Sequence, residues 1–331
     1  MPDLSLLLII TLLLVLAAEF VNGWTDAPNA IATVVSTRVL SPGKAVAMAA
    51  VLNIVGAMTT GIAVATTIGE GFVKPESISL PVVAAAMLTI LVWSAVTWFY
   101  AIPSSKTHEL VAGLTGAGLA AAGPSALLWG GWRKIIIGLG FSSIIGFLFG
   151  MIIMTLLYWL LRRNSLASIR GTFSRLQILS SAFMAYSHGS NDGQKFMGVF
   201  ALTLLLGGVT THFAIPLWIM LTCGSVMGLG TIIGGWRIMR TLGFRLTRLE
   251  PVNGFAAETS GSLAILLASH FGIPLSTTHC ITTSIMGVGA ARRFSSVRWG
   301  MAKSIVLTWI ITFPICGALG YFFSWLLKMI L

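Results

Sequence analysis

The chain has 331 residues, of which 56% are hydrophobic and only 9% charged, with a formal net charge of +11. A soluble domain carries about 25% charged residues, so this composition excludes an ordinary soluble protein and indicates one that crosses a membrane several times. The positive balance does not mark a nucleic-acid surface, because the basic residues fall in short clusters between apolar runs: Arg162, Arg163, Arg170 and Arg175, then Arg237, Arg240, Arg245 and Arg248, then Arg292, Arg293 and Arg298. That is the signature of cytoplasmic loops.

Roughly 20 apolar residues cross the hydrocarbon core. On that rule the sequence predicts spans at about 4–21, 44–68, 79–101, 135–161, 214–234, 252–270 and 299–327. The opening Met1-Pro2-Asp3 has no basic stretch, and no small-residue cleavage site follows the first apolar run, so a cleaved signal peptide is not expected. Four further stretches, at about 22–40, 102–122, 176–208 and 272–290, are apolar but interrupted by glycine, proline and polar residues. Non-helical backbone at membrane depth survives only where protein or a water-filled cavity covers it. These stretches are therefore read as broken helices or re-entrant hairpins lining a site. Arg38 and Lys44 place the end of the first span in the cytoplasm, and Arg162 to Arg175 do the same for the middle loop. Both termini then fall outside, with Arg133 and Lys134 a mild exception. Cys223, Cys280 and Cys316 have neither disulfide nor metal spacing and are read as packing residues.

The interrupted stretches carry one pair of motifs twice. N-G-W-T-D-A-P-N (Asn22–Asn29) is followed by I-P-S-S-K-T-H (Ile102–His108); H-G-S-N-D-G-Q-K (His188–Lys195) is followed by I-P-L-S-T-T-H (Ile273–His279). Asp26 and Asp192 are 166 positions apart and His108 and His279 171 apart, so the registers nearly coincide, as a duplication requires. Given the charge pattern, the second copy starts from the opposite side of the membrane. The expected architecture is an all-α polytopic protein of two inverted-topology repeats, 1–161 and 176–331, joined by a cytoplasmic loop at 162–175. Matched interruptions in two halves are the mark of a transporter built from repeats.

Three groups of residues could carry chemistry. Ser104, Ser105 and Thr107 in one half, and Ser276, Thr277 and Thr278 in the other, each follow a proline, the residue favoured at a helix start. Hydroxyls and free N–H groups at a helix N-terminus bind anions, and two such ends together would cradle a tetrahedral oxyanion; ordinary capping is the plainer alternative. The chain has only nine acids, so each one inside a span matters. Asp26 with Asn29, Asn191 with Asp192, and Glu258 offer the hard oxygens that a small cation such as sodium, or a proton relay, requires, and pairing with a buried Lys or Arg is the structural alternative. Glu19, near a span end, stays open between a solvated or capping role and a functional one. His108 and His279 close the two tips and are read first as groups holding them in shape, while His188 could join a proton path. His212 and His270 have no repeat partner and are read as interfacial. No metal-site spacing, catalytic Ser-His-Asp order or nucleotide loop occurs, so neither an enzyme nor a cofactor is expected.

At these motifs the chain resembles the PiT family of inorganic phosphate transporters, in particular its bacterial branch, over nearly the full length from about residue 18. The carrying strings are N-G-W-T-D-A-P-N-A-I-A-T-V-V-S-T-R, Y-S-H-G-S-N-D-G-Q-K and G-I-P-L-S-T-T-H. The resemblance implies that Ser104, Ser105, Thr107, Ser276, Thr277 and Thr278 bind phosphate. It assigns cation coupling to Asp26, Asn29, Asn191, Asp192 and Glu258. The chain departs from the family pattern at Lys106, where a small hydroxyl residue is usual, and at Pro28. Lys106 would strengthen anion attraction, stand in for a coupling cation, or pair silently with Glu109. With no acid between Glu76 and Glu109, the first half lacks a counterpart to Glu258.

The expectation is a phosphate importer of the inner (plasma) membrane, working by alternating access and coupled to a cation, read first as a proton, with sodium at Asp26, Asn29, Asn191 and Asp192 or a metal–phosphate complex as the other readings. Lys106, Lys195, His108 and His279 would modulate the site. Beyond lipid, a homodimer is admissible, and no nucleic-acid partner is expected. A sulfate carrier of the same fold and a passive anion channel are the alternatives.

Overall fold

The computed structural model describes residues 5–70, 73 and 77–330. The Met1-Pro2-Asp3 start, residue 4 at the head of the first predicted span, and Glu76 lie outside the described residues. Twelve α-helices follow in order: α1 (Leu6–Ser36), α2 (Pro42–Thr59), α3 (Ala63–Glu70), α4 (Leu80–Phe99), α5 (Lys106–Ala122), α6 (Trp129–Leu161), α7 (Leu166–Leu206), α8 (Leu217–Ile233), α9 (Trp236–Arg240), α10 (Pro251–His270), α11 (Thr277–Arg292) and α12 (Trp299–Ile330). No strand occurs among the described residues; one isolated bridge joins Val73 and Leu127. Helices α1, α2, α4, α6 and α12 are long and apolar enough to cross a membrane, and α8 with the segment bent 60° beyond it makes a sixth. Side chains such as Ile144 on α6 and Ile310 on α12 remain exposed, as lipid-facing groups do. This is an all-α, multi-pass membrane protein.

Two of the four interrupted stretches are hairpin tips, as expected. The chain leaves α4 and α10 through the same turn. Ile102 N–H donates to the Thr97 carbonyl at 3.0 Å, and Ile273 N–H donates to the Ala268 carbonyl at 2.9 Å. This is the six-to-one bond of a helix end whose next-to-outermost residue is left-handed. Gly272 takes that position at φ 63° in the second half, and Ala101 takes it at φ 57° in the first. After the Ile-Pro step, Ser105 and Ser276 cap the next helices by accepting from the N–H groups of His108 and His279 at 3.3 and 3.2 Å.

The other two stretches are not broken. Asp26 and Asn29 lie within continuous α1, and Asn191 and Asp192 within continuous α7, so the reading of these motifs as chain breaks is corrected. Pro28 frees only the carbonyl of Trp24, which Gly235 approaches closely enough that a Cβ there would sit 2.9 Å away. The motif glycines serve packing rather than interruption. A Cβ on Gly23 would lie 2.1 Å from the Met227 carbonyl of α8, and one on Gly189 2.1 Å from the Asn53 carbonyl of α2. The continuous span expected at 44–68 is instead divided between α2 and α3, with Gly61 at φ 83°. The stretch 162–175, expected as a loop, is a turn only as far as Ser165, which caps α7.

Helices α1 and α7 run side by side through the molecule and make the frame for both hairpins. Helix α5 packs mainly on α12, and α11 mainly on α6. Each tip is thereby held between the frame and a long apolar helix with an exposed outer face.

Candidate functional site

Helix periodicity explains how α1 presents its polar groups. Glu19, Asn22, Asp26, Asn29 and Thr33 recur at three- and four-residue intervals, which places them on one face over about 21 Å of helix. All five are buried. On α7 the same spacing aligns His188, Asp192 and Lys195, also buried. The two faces meet. Ligand atoms of Asp26, His188 and Asp192 all lie within 4.8 Å of one another.

Each carboxylate is then contacted by a tip. Thr277 Oγ1 donates to Asp192 Oδ2 at 2.8 Å, while Thr278 Oγ1 donates to Asp26 Oδ2 at 3.2 Å. Asn29 Nδ2 donates to Asp26 Oδ2 at 3.3 Å and to Thr278 Oγ1 at 2.9 Å. Lys195 Nζ donates to Asp192 Oδ1 and, at 2.9 Å, to the Leu275 carbonyl. Thr107 of the first tip donates to that same carbonyl at 3.0 Å, so both tips converge on one point. His188 spans Asp192 at 3.2 Å and Asn53 at 3.1 Å. Asn191 does not face the carboxylates with its amide, which donates to Ser269 at 2.9 Å and the Ile273 carbonyl at 3.3 Å, tying α7 to the second tip.

The hydroxyls of Ser105 and Ser276 accept cap bonds through oxygen and keep their own hydrogens free to donate. Capping and anion binding are thus compatible at these serines. Ser104 is engaged differently, donating to Glu109 Oε1 at 2.6 Å. Lys106 Nζ donates to the same carboxylate oxygen at 2.8 Å, so Lys106 takes the paired arrangement among the three open to it. Ser94 of α4 completes the cluster by donating to Glu109 Oε2 at 2.6 Å. His108 and His279 turn toward α12: His279 stacks on Trp309 at 3.6 Å between centroids, and His108 meets Phe313 edge-on at 5.3 Å.

Glu258 is brought to the other end of the α1 stripe rather than to the centre. It accepts from Thr33 and Ser180, and from Gln177 Nε2 at 3.4 Å, with no basic partner among the described residues. Glu19 ends the stripe on the opposite side. It is fully buried, not solvated; Asn22 donates to its Oε2 at 3.1 Å, and its Oε1 has no donor. Sequence reading missed Ser94, Thr33, Ser180 and Gln177, though the polar heptad spacing of α1 would have exposed Thr33 and Asn22.

A buried polar centre formed between two helical hairpins and two continuous helices, inside a multi-pass membrane protein, defines a membrane transporter. The comparisons give its family. The model of the phosphate transporter family matches residues 22–320, and the chain belongs to that family. It is 44% identical to a probable low-affinity inorganic phosphate transporter of Rhizobium meliloti (strain 1021), over 92% of each chain. It is 42% identical to one of the same description from Bacillus subtilis (strain 168), over 99% of this chain and 100% of the other. The solved structure titled "The sodium-dependent phosphate transporter" superposes with a TM-score of 0.86 at 26% identity, over 99% of this chain and 100% of that one. The relatives are transporters, in keeping with the expectation of a non-enzyme.

Proposed function

We propose that this protein imports inorganic phosphate together with a cation by alternating access. Phosphate would be held by Ser104, Ser105, Thr107, Ser276, Thr277 and Thr278, and the cation would be served by Asp26, Asn29, Asn191, Asp192 and Glu258. The carrying observation is the contact of the second tip with both carboxylates of the Asp26–Asp192 pair, with Thr107 of the first tip joining that tip at the Leu275 carbonyl, which brings the anion site and the cation site into one shared set of bonds. Loading one then changes the other, and that dependence is what coupling requires. The two halves, 1–161 and 176–331, are read as inverted repeats, in line with the matched tip turns and the reciprocal packing of α5 on α12 and α11 on α6.

Energetics demand the coupling. A divalent phosphate entering a negative interior faces about 4.6 kcal/mol per 100 mV, twice the value for one charge. Protons are favoured as the coupled ion; sodium is the second reading, supported by the similarity to a structure whose title is sodium-dependent. Radiolabelled phosphate uptake into proteoliposomes, with sodium and pH gradients imposed separately, tests both. Asp26→Asn and Asp192→Asn are expected to abolish uptake while the protein stays folded. Wild-type rates in both variants, or uptake indifferent to either gradient as in a channel, would overturn the proposal. Sulfate competition at several pH values separates the two oxyanions, since only phosphate gains a proton near neutrality.

A further inference from the structure

The two motif copies place Asp26 opposite Asp192 and Asn29 opposite Lys195, each pair three residues apart and so on one helix face. The two carboxylates are otherwise similar, being buried, close together and each accepting from a threonine of the second tip. Their partners on the helix differ in charge. Asn29 gives Asp26 a neutral amide. Lys195 gives Asp192 a full positive charge on an ammonium that is 1% exposed and fixed further by the Leu275 carbonyl. Among the described residues the other buried lysine, Lys106, spends its hydrogen bonds on Glu109 and Ser104, and the Glu109 carboxylate offsets its charge. The two aspartates and Lys195 together carry a net charge of −1, one positive charge short of neutrality.

We propose that Lys195 is a tethered cation. Its ammonium permanently occupies the station on Asp192, where the pseudo-equivalent Asp26 leaves a station for a mobile ion. The Asp26–Asp192 centre therefore binds a single transported cation, and residue 195 sets that number. A flexible four-carbon stem makes lysine suited to this: its ammonium is a compact point charge with three donors, close in kind to a hydrated small cation. Placing asparagine at 195, the residue that Asp26 already has beside it, would open a second mobile station. This inference rests on the reading of Asp26 as a coupling site.

The test is phosphate uptake by the full chain in proteoliposomes, with sodium varied at fixed pH and pH varied at fixed sodium, and with charge moved per phosphate read in parallel. Lys195→Asn is expected to raise the Hill coefficient for the activating cation by about one, and to raise the charge moved per phosphate by one. An unchanged Hill coefficient and unchanged charge overturn the proposal. If Lys195→Asn does not transport, cation binding to the purified protein with phosphate present decides, read as labelled sodium bound and protons taken up. Lys195→Asn is expected to bind one mobile cation more per chain than the wild type, and an unchanged number overturns the proposal. Absence of phosphate uptake by the wild-type protein would instead strike the proposed function, so the two failures are distinguishable.

Discussion

The imidazole rings of His108 and His279 meet 4.6 Å apart, centroid to centroid, at the place where the two hairpin tips come together. Each closes its Ser-capped tip in sequence, and each packs against an aromatic ring of α12. Ser143 of α6 lies 3.2 Å from His279 Nδ1 and fixes that ring from the other side. The pair is a packing joint between the tips. His279→Ala is expected to lower stability by about 2–4 kcal/mol, read as a fall in the thermal midpoint of the detergent-solubilised protein, because it deletes a stacked ring in a closed interior. His279→Phe keeps the ring volume and should recover most of that loss. A drop for Phe as large as for Ala would show that the ring nitrogens, not its packing, hold the joint.

Ala101 stands where Gly272 stands in the other half, at φ 57°. The left-handed region costs an L-residue about 1–2 kcal/mol, part of which a glycine substitution gives back as freedom of the unfolded chain. Ala101→Gly should therefore stabilise the protein by up to about 1 kcal/mol, seen as a small upward shift of the thermal midpoint. The reciprocal Gly272→Ala should destabilise it, both for its φ and because the new Cβ would lie 3.0 Å from the Ala63 carbonyl.

Lys106 and Glu109 form a completely buried ion pair at 2.8 Å. Removing one partner strands a charge in the interior and costs about 3–5 kcal/mol, whereas removing both does not. Lys106→Met and Glu109→Gln should each destabilise strongly, and the double variant should be milder than the worse single one. A strictly additive double variant would count against the pairing.

The seams between hairpins and long helices are made of glycine. A Cβ on Gly116 of α5 would lie 1.9 Å from the Gly317 carbonyl of α12, and one on Gly287 of α11 would lie 2.0 Å from the Phe147 carbonyl of α6. Gly116→Ala should cost about 1–3 kcal/mol or more, since backbone must move to admit it. Gly130→Ala, where nothing lies within 4 Å, is the control and should be neutral or slightly stabilising. Circular dichroism melts of both variants make the comparison.

How much of this was legible in the sequence depends on where each group finds its partner. The tips were readable because Ile-Pro-x-Ser is local chemistry: proline stops one segment, and serine caps the next within three residues. The continuity of α1 and α7 was not, because Pro28 and the glycines at 189 and 193 look like breakers when tertiary neighbours are unknown. Reading those motifs as broken also hid the Asp192–Lys195 pair, whose three-residue spacing carries meaning only on a helix. Glu258 was rightly singled out as a buried acid, but its donors Thr33, Ser180 and Gln177 come from two other helices and no local pattern announces them. Glu19 was left open because position along a span says nothing of which face meets protein.

The bond between Asp26 and Thr278 joins residues 252 positions apart. At about 5–20 residues per second, the ribosome needs roughly 13–50 s to make the second partner after the first. Throughout that interval the nascent α1 carries a carboxylate served only by Thr25 and Asn29 of its own helix. Biogenesis of this protein is thus obliged to shelter its first helix, within the insertion machinery or against water, until the penultimate helix has been synthesised. Truncation anywhere before α11 removes both threonines that hold the paired aspartates, so a prematurely ended chain keeps two buried carboxylates without the donors that the second tip supplies.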